Sequence, residues 1–235
     1  MPITDKDIAD LCVGVYAYPG SPPVAWNRFD DGEDSDQICW GVKIIDGCDV
    51  LVFRGSTTFE DWRRDFDVWA NPFVHSKIGP VHPGFLLGLD QVLDEYRQKS
   101  SGKLIVAGHS LGAGRASIFC GLAIVAGIVP VGRVVFGEPR PGFQPLAGLL
   151  ASIKESRSYR NGKFGTFEHD YVTDVPYRIG LLQYVHPTPL IDVSALPPPD
   201  DEWGIFSYHH MPLYAQALAR GAIRPPAAST GSSLE

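Results

Sequence analysis

The chain of 235 residues is the length of one large domain, and its 44% apolar content with 12 Phe, 9 Tyr and 5 Trp excludes wholesale disorder. Twenty Lys and Arg against 27 Asp and Glu give a net charge of −7. With no basic run to neutralise a row of phosphates, a nucleic-acid partner is excluded.

The opening residues MPITDKDIADL read as a helix start, with Thr4 as N-cap and Asp7 at the third helical position. They lack the basic flank and apolar block of a secretory signal, so the reading is a cytoplasmic protein, or a secreted one whose signal is already removed. Gln37–Ile45 and Asp49–Arg54 are strand-like runs joined through Asp46-Gly47, a dipeptide favoured in tight hairpins. Leu86, Leu89, Leu93 and Tyr96 fall on one helical face, and Ser100-Ser101-Gly102 ends that helix. Lys103–Ala107 predicts a buried strand, followed by a helix running to about Val129. The most apolar stretch, Ile118–Val131, is shorter than the roughly 20 residues a bilayer span needs and carries Gly121, Gly127 and Pro130. It reads as a buried helix and a turn, with no transmembrane segment.

Arg133–Phe136 and a run near Ser158–Arg160 predict further strands, and the proline-rich stretch Pro187–Asp201 predicts a long surface loop. Strand, helix, strand with nearly all-apolar strands marks a mostly parallel central sheet flanked by helices, opened here by an antiparallel hairpin. Residues 1–225 are read as a single domain and 226–235 as a disordered tail or a cloning remnant. Cys12, Cys39, Cys48 and Cys120 show neither C-x-x-C nor zinc-ligand spacing and read as free thiols, and no metal is called for.

Gly108-His109-Ser110-Leu111-Gly112 fits G-x-S-x-G between a strand and a helix. In that context Ser110 sits on a turn sharp enough to demand glycine on either side, with its hydroxyl exposed as a nucleophile. The helix that follows aims its N-terminus at the site, and the Leu111 N–H becomes one donor of an oxyanion hole.

Leu51-Val52-Phe53-Arg54-Gly55-Ser56, Asp61-Trp62, His82-Pro83-Gly84-Phe85, the Gly108–Gly112 pentapeptide and Phe136-Gly137-Glu138-Pro139-Arg140 occur in that order. This succession resembles the class 3 lipases, a family of the α/β-hydrolase superfamily, over roughly Gln37 to Leu218. The resemblance implies the α/β-hydrolase fold, no cofactor, and a Ser–Asp–His triad acting on carboxylic esters. Ser110 takes the nucleophile's place. The family's D-x-V-P-x-L-P stretch matches Asp170-Tyr171-Val172-Thr173-Asp174-Val175-Pro176, which puts Asp170 in the acid position, with Thr173 replacing a proline and Asp174 as the alternative. His209-His210-Met211-Pro212-Leu213-Tyr214 matches the family's H-x-M/L-x-x-Y with His209 first and His210 as the alternative. The second oxyanion donor falls on Ser56, and Arg54 is assigned to structure.

His82 is read as packing support, His109 as the elbow's variable residue, and His75, His169 and His186 as surface or loop residues. Relatives carry a lid helix after the oxyanion serine. Here Thr57–Phe66 places Phe59, Trp62 and Phe66 in one aromatic stripe, which is a lid or simply a packed face. The implied partner is a small-molecule or lipid ester, met through transient contact with a lipid interface. The same fold and triad also serve a phospholipase A1, a feruloyl or aryl esterase, or a polyesterase. A catalytically silent lipid-binding protein would not require all three of Ser110, Asp170 and His209.

Overall fold

Thr4 starts the first helix, α1 (Asp5–Tyr16), through a capping box. Its side chain accepts the Asp7 N–H, and the Asp7 carboxylate accepts the Thr4 N–H. The computed structural model describes residues 2–17, 23–32, 38–56, 71–162, 166–176, 180–193 and 204–221.

β1 (Arg28–Asp30), β2 (Trp40–Ile45) and β3 (Cys48–Phe53) pair antiparallel in sequence order. The β2–β3 turn is Asp46-Gly47 with φ of 49° and 72°, the doubly left-handed turn whose twist suits a hairpin. A separate hairpin pairs β4 (Phe73–His75) with β5 (Gly79–Val81). The helical face beginning at Leu86 is interrupted. α2 (Pro83–Leu86) stops, Gly88 takes φ 76°, and α3 (Leu89–Lys99) starts afresh with Leu87 turned to solvent.

β6 (Lys103–His109) leads into α4 (Leu111–Val125), and β7 (Gly132–Phe136), α5 (Gln144–Leu150) and β8 (Glu155–Asn161) follow. α4 ends four residues before the expected Val129. Gly127 at φ 86° donates to the Ile124 carbonyl while Ile128 donates to Ala123, a paired closure that satisfies the last carbonyls. Within the expected loop Pro187–Asp201 lies a strand instead, β9 (Leu190–Val193), parallel to β8. α6 (Met211–Ala219) is the last described helix.

The seven-stranded sheet has the order β1-β2-β3-β6-β7-β8-β9 and is parallel from β3 onward. The apolar strands feed two cores by alternation. Leu51, Phe53, Leu104, Val106 and Val135 point to the face covered by α3, α4 and α5. Val50, Val52, Ala107, Val134 and Phe136 point to the face covered by α1 and α6. The four cysteines are free and buried. Among the described residues no helix is long and apolar enough to cross a membrane.

Candidate active site

Ser110 stands between the last residue of β6 and the first of α4 with φ 61° and ψ −130°, a conformation costly for a residue with a Cβ, and it is buried at 2% exposure rather than exposed as the motif led one to expect. The surroundings hold it there. Its N–H donates to the Phe136 carbonyl at 3.1 Å, and its own carbonyl receives the N–H groups of Ala113 and Gly114. A Cβ on Gly108 would lie 2.3 Å from the Gly112 oxygen, and one on Gly112 would lie 2.2 Å from the Phe53 oxygen. Strand and helix therefore meet backbone to backbone, as a nucleophile elbow requires. Leu111 opens α4, so its N–H belongs to the unpaired first turn beside Ser110.

Ser56 follows β3, which runs beside β6 with Phe53 opposite Gly108. Its predecessor Gly55 is pressed against the elbow, where a Cβ would sit 2.9 Å from the Ser110 Cβ and 2.6 Å from the His109 oxygen. The segment Thr57–Phe66, read as a lid or a packed face, lies outside the described residues.

Asp170 comes after β8, its N–H bonded to the Asn161 carbonyl at 2.9 Å. Fully buried, it caps the short 3-10 turn Tyr171–Asp174 by accepting the Val172 N–H on Oδ1 at 2.9 Å. Its Oδ2 faces His209 Nδ1 at 2.6 Å. A carboxylate oxygen accepts, so Nδ1 carries the proton and Nε2 offers the lone pair a base needs. His209 ends a 3-10 turn over Gly204–His209, immediately before α6. Of the alternatives, Asp174 turns elsewhere and bonds His169 Nε2 at 2.8 Å, while His210 occupies the N-cap of α6. The proline replaced by Thr173 is compensated locally, because the Thr173 hydroxyl donates to the Asp170 carbonyl at 2.8 Å.

Several contributors escaped the sequence reading. Tyr214, from the same segment as His209, donates its hydroxyl to Asp170 Oδ2. Burial first, and the Asp170 carboxylate second, hold that phenol well above the usual tyrosine range, so it stays a donor. Gly137, at φ 55°, backs the pair, since a Cβ there would lie 2.7 Å from Asp170 Oδ2 and 2.7 Å from His209 Cε1. His169 is buried rather than on the surface, held by the Thr166 carbonyl and Asp174. His186 is half-buried and bonds the Thr173 carbonyl at 2.8 Å. His82 is buried with its ring stacked on Phe85, the packing role expected of it.

Behind the site runs a buried polar cluster. Arg133 and Glu138, both fully buried, pair at 2.9 Å, and Ser117 and Ser158 also bond the carboxylate. Burial would raise the Glu138 pKa, but Arg133, His186 and Ser117 together hold it below the usual range. Arg140 donates to the carbonyls of Asp174 and Pro176 and so fastens the loop that follows Asp170.

The family model for lipase (class 3) matches residues 50–179, more than half of the chain. The chain belongs to the class 3 lipase family. A lipase of Rhizomucor miehei is 30% identical over 115 residues, covering 43% of this chain and 31% of that protein's length. The solved structure of the R. miehei triacylglyceride lipase shares the fold with a TM-score of 0.59 at 20% identity, over 80% of this chain and 77% of that one. The mono- and diacylglycerol lipase of Aspergillus oryzae has a TM-score of 0.58 at 18% identity, over 85% and 83% of the two chains. The fold is thus that of the fungal class 3 lipases, an α/β-hydrolase. The family match includes Ser110 and Asp170 but stops before His209, which the geometry pairs with Asp170.

Proposed function

We propose that this chain is a serine carboxylic ester hydrolase acting on glycerides or other apolar acyl esters. The observation that carries the reading is the buried Asp170–His209 pair at 2.6 Å, whose imidazole stacks on His109, the residue directly before a serine in a strained elbow at a helix N-terminus. In this reading His209 Nε2 takes the Ser110 proton as Oγ attacks the ester carbonyl, and Asp170 steadies the imidazolium. The Leu111 and Ser56 N–H groups receive the oxyanion. Collapse expels the alcohol with the proton from His209 and leaves an acyl-serine. Water, deprotonated by the same histidine, then releases the acid and restores Ser110. Residues 1–225 serve as one catalytic domain that meets its substrate in transient contact with a lipid interface.

Glycerides are favoured over other esters because the structural neighbours are named as lipases of triacylglycerides and of mono- and diacylglycerols. The test is labelling by a fluorophosphonate probe, followed by hydrolysis of p-nitrophenyl esters from acetate to palmitate with and without emulsified lipid. Labelling lost in Ser110→Ala, with turnover rising on longer chains at an interface, is the expected result. An unlabelled parent protein would overturn the reading, and turnover that falls on longer chains and ignores the interface would move the substrate class away from glycerides.

A further inference from the structure

His109, the variable residue of the elbow, is buried at 3% exposure and belongs to a directed chain of hydrogen bonds. Its Nε2 lies 2.6 Å from the His209 carbonyl, and its Nδ1 lies 2.9 Å from the Tyr16 hydroxyl. A carbonyl only accepts, so Nε2 carries the hydrogen. The ring is neutral if Nδ1 in turn accepts from the tyrosine. The Tyr16 oxygen itself accepts the Gly55 N–H at 3.0 Å. These three bonds fall into one order: Gly55 N–H to Tyr16, Tyr16 O–H to His109 Nδ1, His109 Nε2–H to the His209 carbonyl.

The two ends of this chain are the parts of the site that must be aligned. At one end, Gly55 precedes Ser56 and presses on Ser110. At the other, the backbone of His209 is fixed, and its ring is stacked on that of His109 with centroids 4.5 Å apart and planes inclined by 30°. Asp170 sets the orientation of the His209 ring but does not touch its main chain in this way; the His109 bond does. Among the described residues the groups facing His109 are Tyr16 from α1, Tyr214 from α6 at 5.9 Å between rings, and His209 and His210 from the segment between the last 3-10 turn and α6. None of these is an acid that would favour an imidazolium. Burial first, and proximity to His209 second, push the His109 pKa well below the ordinary value, in keeping with a ring that stays neutral.

We infer that His109 and Tyr16 are positioning residues that hold the Gly55–Ser56 oxyanion strand and the His209 imidazole in a fixed mutual geometry. The inference rests on the ester-hydrolase reading above. Small misplacements of reacting groups cost rate out of proportion to their size, whereas uniform substrate affinity is little changed. The relay therefore acts on kcat.

Tyr16→Phe removes one hydroxyl and keeps the ring, and His109→Phe keeps an aromatic ring while removing both of its hydrogen bonds. The two variants and their combination are assayed on a short, soluble p-nitrophenyl ester, with thermal midpoints measured alongside. Tyr16→Phe is expected to lower kcat about tenfold with KM within about twofold, and the combined variant to be no slower than His109→Phe, because both interrupt one chain. Should His109→Phe fail to fold, Tyr16→Phe alone decides through its split between kcat and KM. A kcat for Tyr16→Phe within about twofold of the parent, or losses that multiply in the combined variant, overturns the relay while leaving a labelled, active parent. A parent that does not label with fluorophosphonate overturns the hydrolase reading, and this inference with it.

Discussion

Tyr214 donates its hydroxyl to the same Asp170 oxygen that faces the His209 ring. One carboxylate oxygen thus serves two donors from one six-residue stretch, His209–Tyr214, around the start of α6, while the other oxygen is held by the Val172 N–H. The acid is clamped from three sides and fully removed from water.

Removing the Tyr214 hydroxyl in Tyr214→Phe leaves a buried charge with one donor fewer. Hydrogen bonds to charged groups contribute about 1.5–3 kcal/mol, so the unfolding free energy is expected to fall by about that amount. Because His209 keeps its contact with Asp170, kcat is expected to fall by no more than about tenfold. Denaturant unfolding read beside steady-state kinetics checks this, and an unchanged midpoint would show the hydroxyl to be energetically idle.

Asp170 and Asp174 separate cleanly by substitution. In Asp170→Asn the amide favours the wrong imidazole tautomer, and kcat is expected to drop by about 10⁴ in a folded protein. Asp174 bonds His169 instead, away from the His209 ring, so Asp174→Asn is expected to cost less than about tenfold. Kinetics on both variants with matched circular dichroism decide, and the opposite ranking would reassign the acid.

Gly137→Ala meets two obstacles together. Its φ of 55° strains any side chain, and the new methyl would lie 2.7 Å from both Asp170 Oδ2 and His209 Cε1. We expect a lower thermal midpoint and a loss in kcat approaching about 10²-fold, as the Asp–His pair is pushed off register. Wild-type rates in this variant would mean that the pair moves freely without catalytic cost.

Acid stability carries the signature of His109. The unfolded chain binds a proton on this residue as pH falls through the ordinary value of 6.5, whereas the buried native ring resists it. Stability from this source is present above that pH and declines below it, by up to about 1.4 kcal/mol per pH unit, until the lower native pKa is reached. Thermal midpoints followed from neutral pH down to about 5 should fall more steeply for the parent than for His109→Phe. Parallel slopes would show that His109 titrates normally in the fold.

The elbow was legible because its chemistry is local. Gly108 and Gly112 stand where the backbones come too close for a side chain, with Ser110 at the turn between them. The pairing of Asp170 with His209 followed from order along the chain by resemblance, and the geometry separates them from Asp174 and His210. Tyr16 and His109 could not be linked in advance, since they stand 93 positions apart and only the packing of α1 on the sheet brings them together. The α2–α3 break was hidden because the apolar period continues through Gly88. Strand β9 was hidden because four residues beside prolines carry too little alternation to stand out from a loop. His169 and His186 read as surface or loop residues; they do lie in connecting segments, and what the sequence hid is the carbonyls of Thr166 and Thr173 that accept from them.

All four thiols are shut inside the fold. Burial, as the leading cause, raises every one of their pKa values, to about 11 for Cys39 and about 12 for Cys120. Only a thiolate attacks an alkylating reagent. The native protein is therefore a silent background for maleimide chemistry, and a cysteine introduced on its surface becomes a lone attachment point for a fluorophore or spin label. Since Cys12 lies under the α1–α6 face and Cys120 in the opposite core, their capture by a thiol reagent would time the opening of either side of the sheet separately.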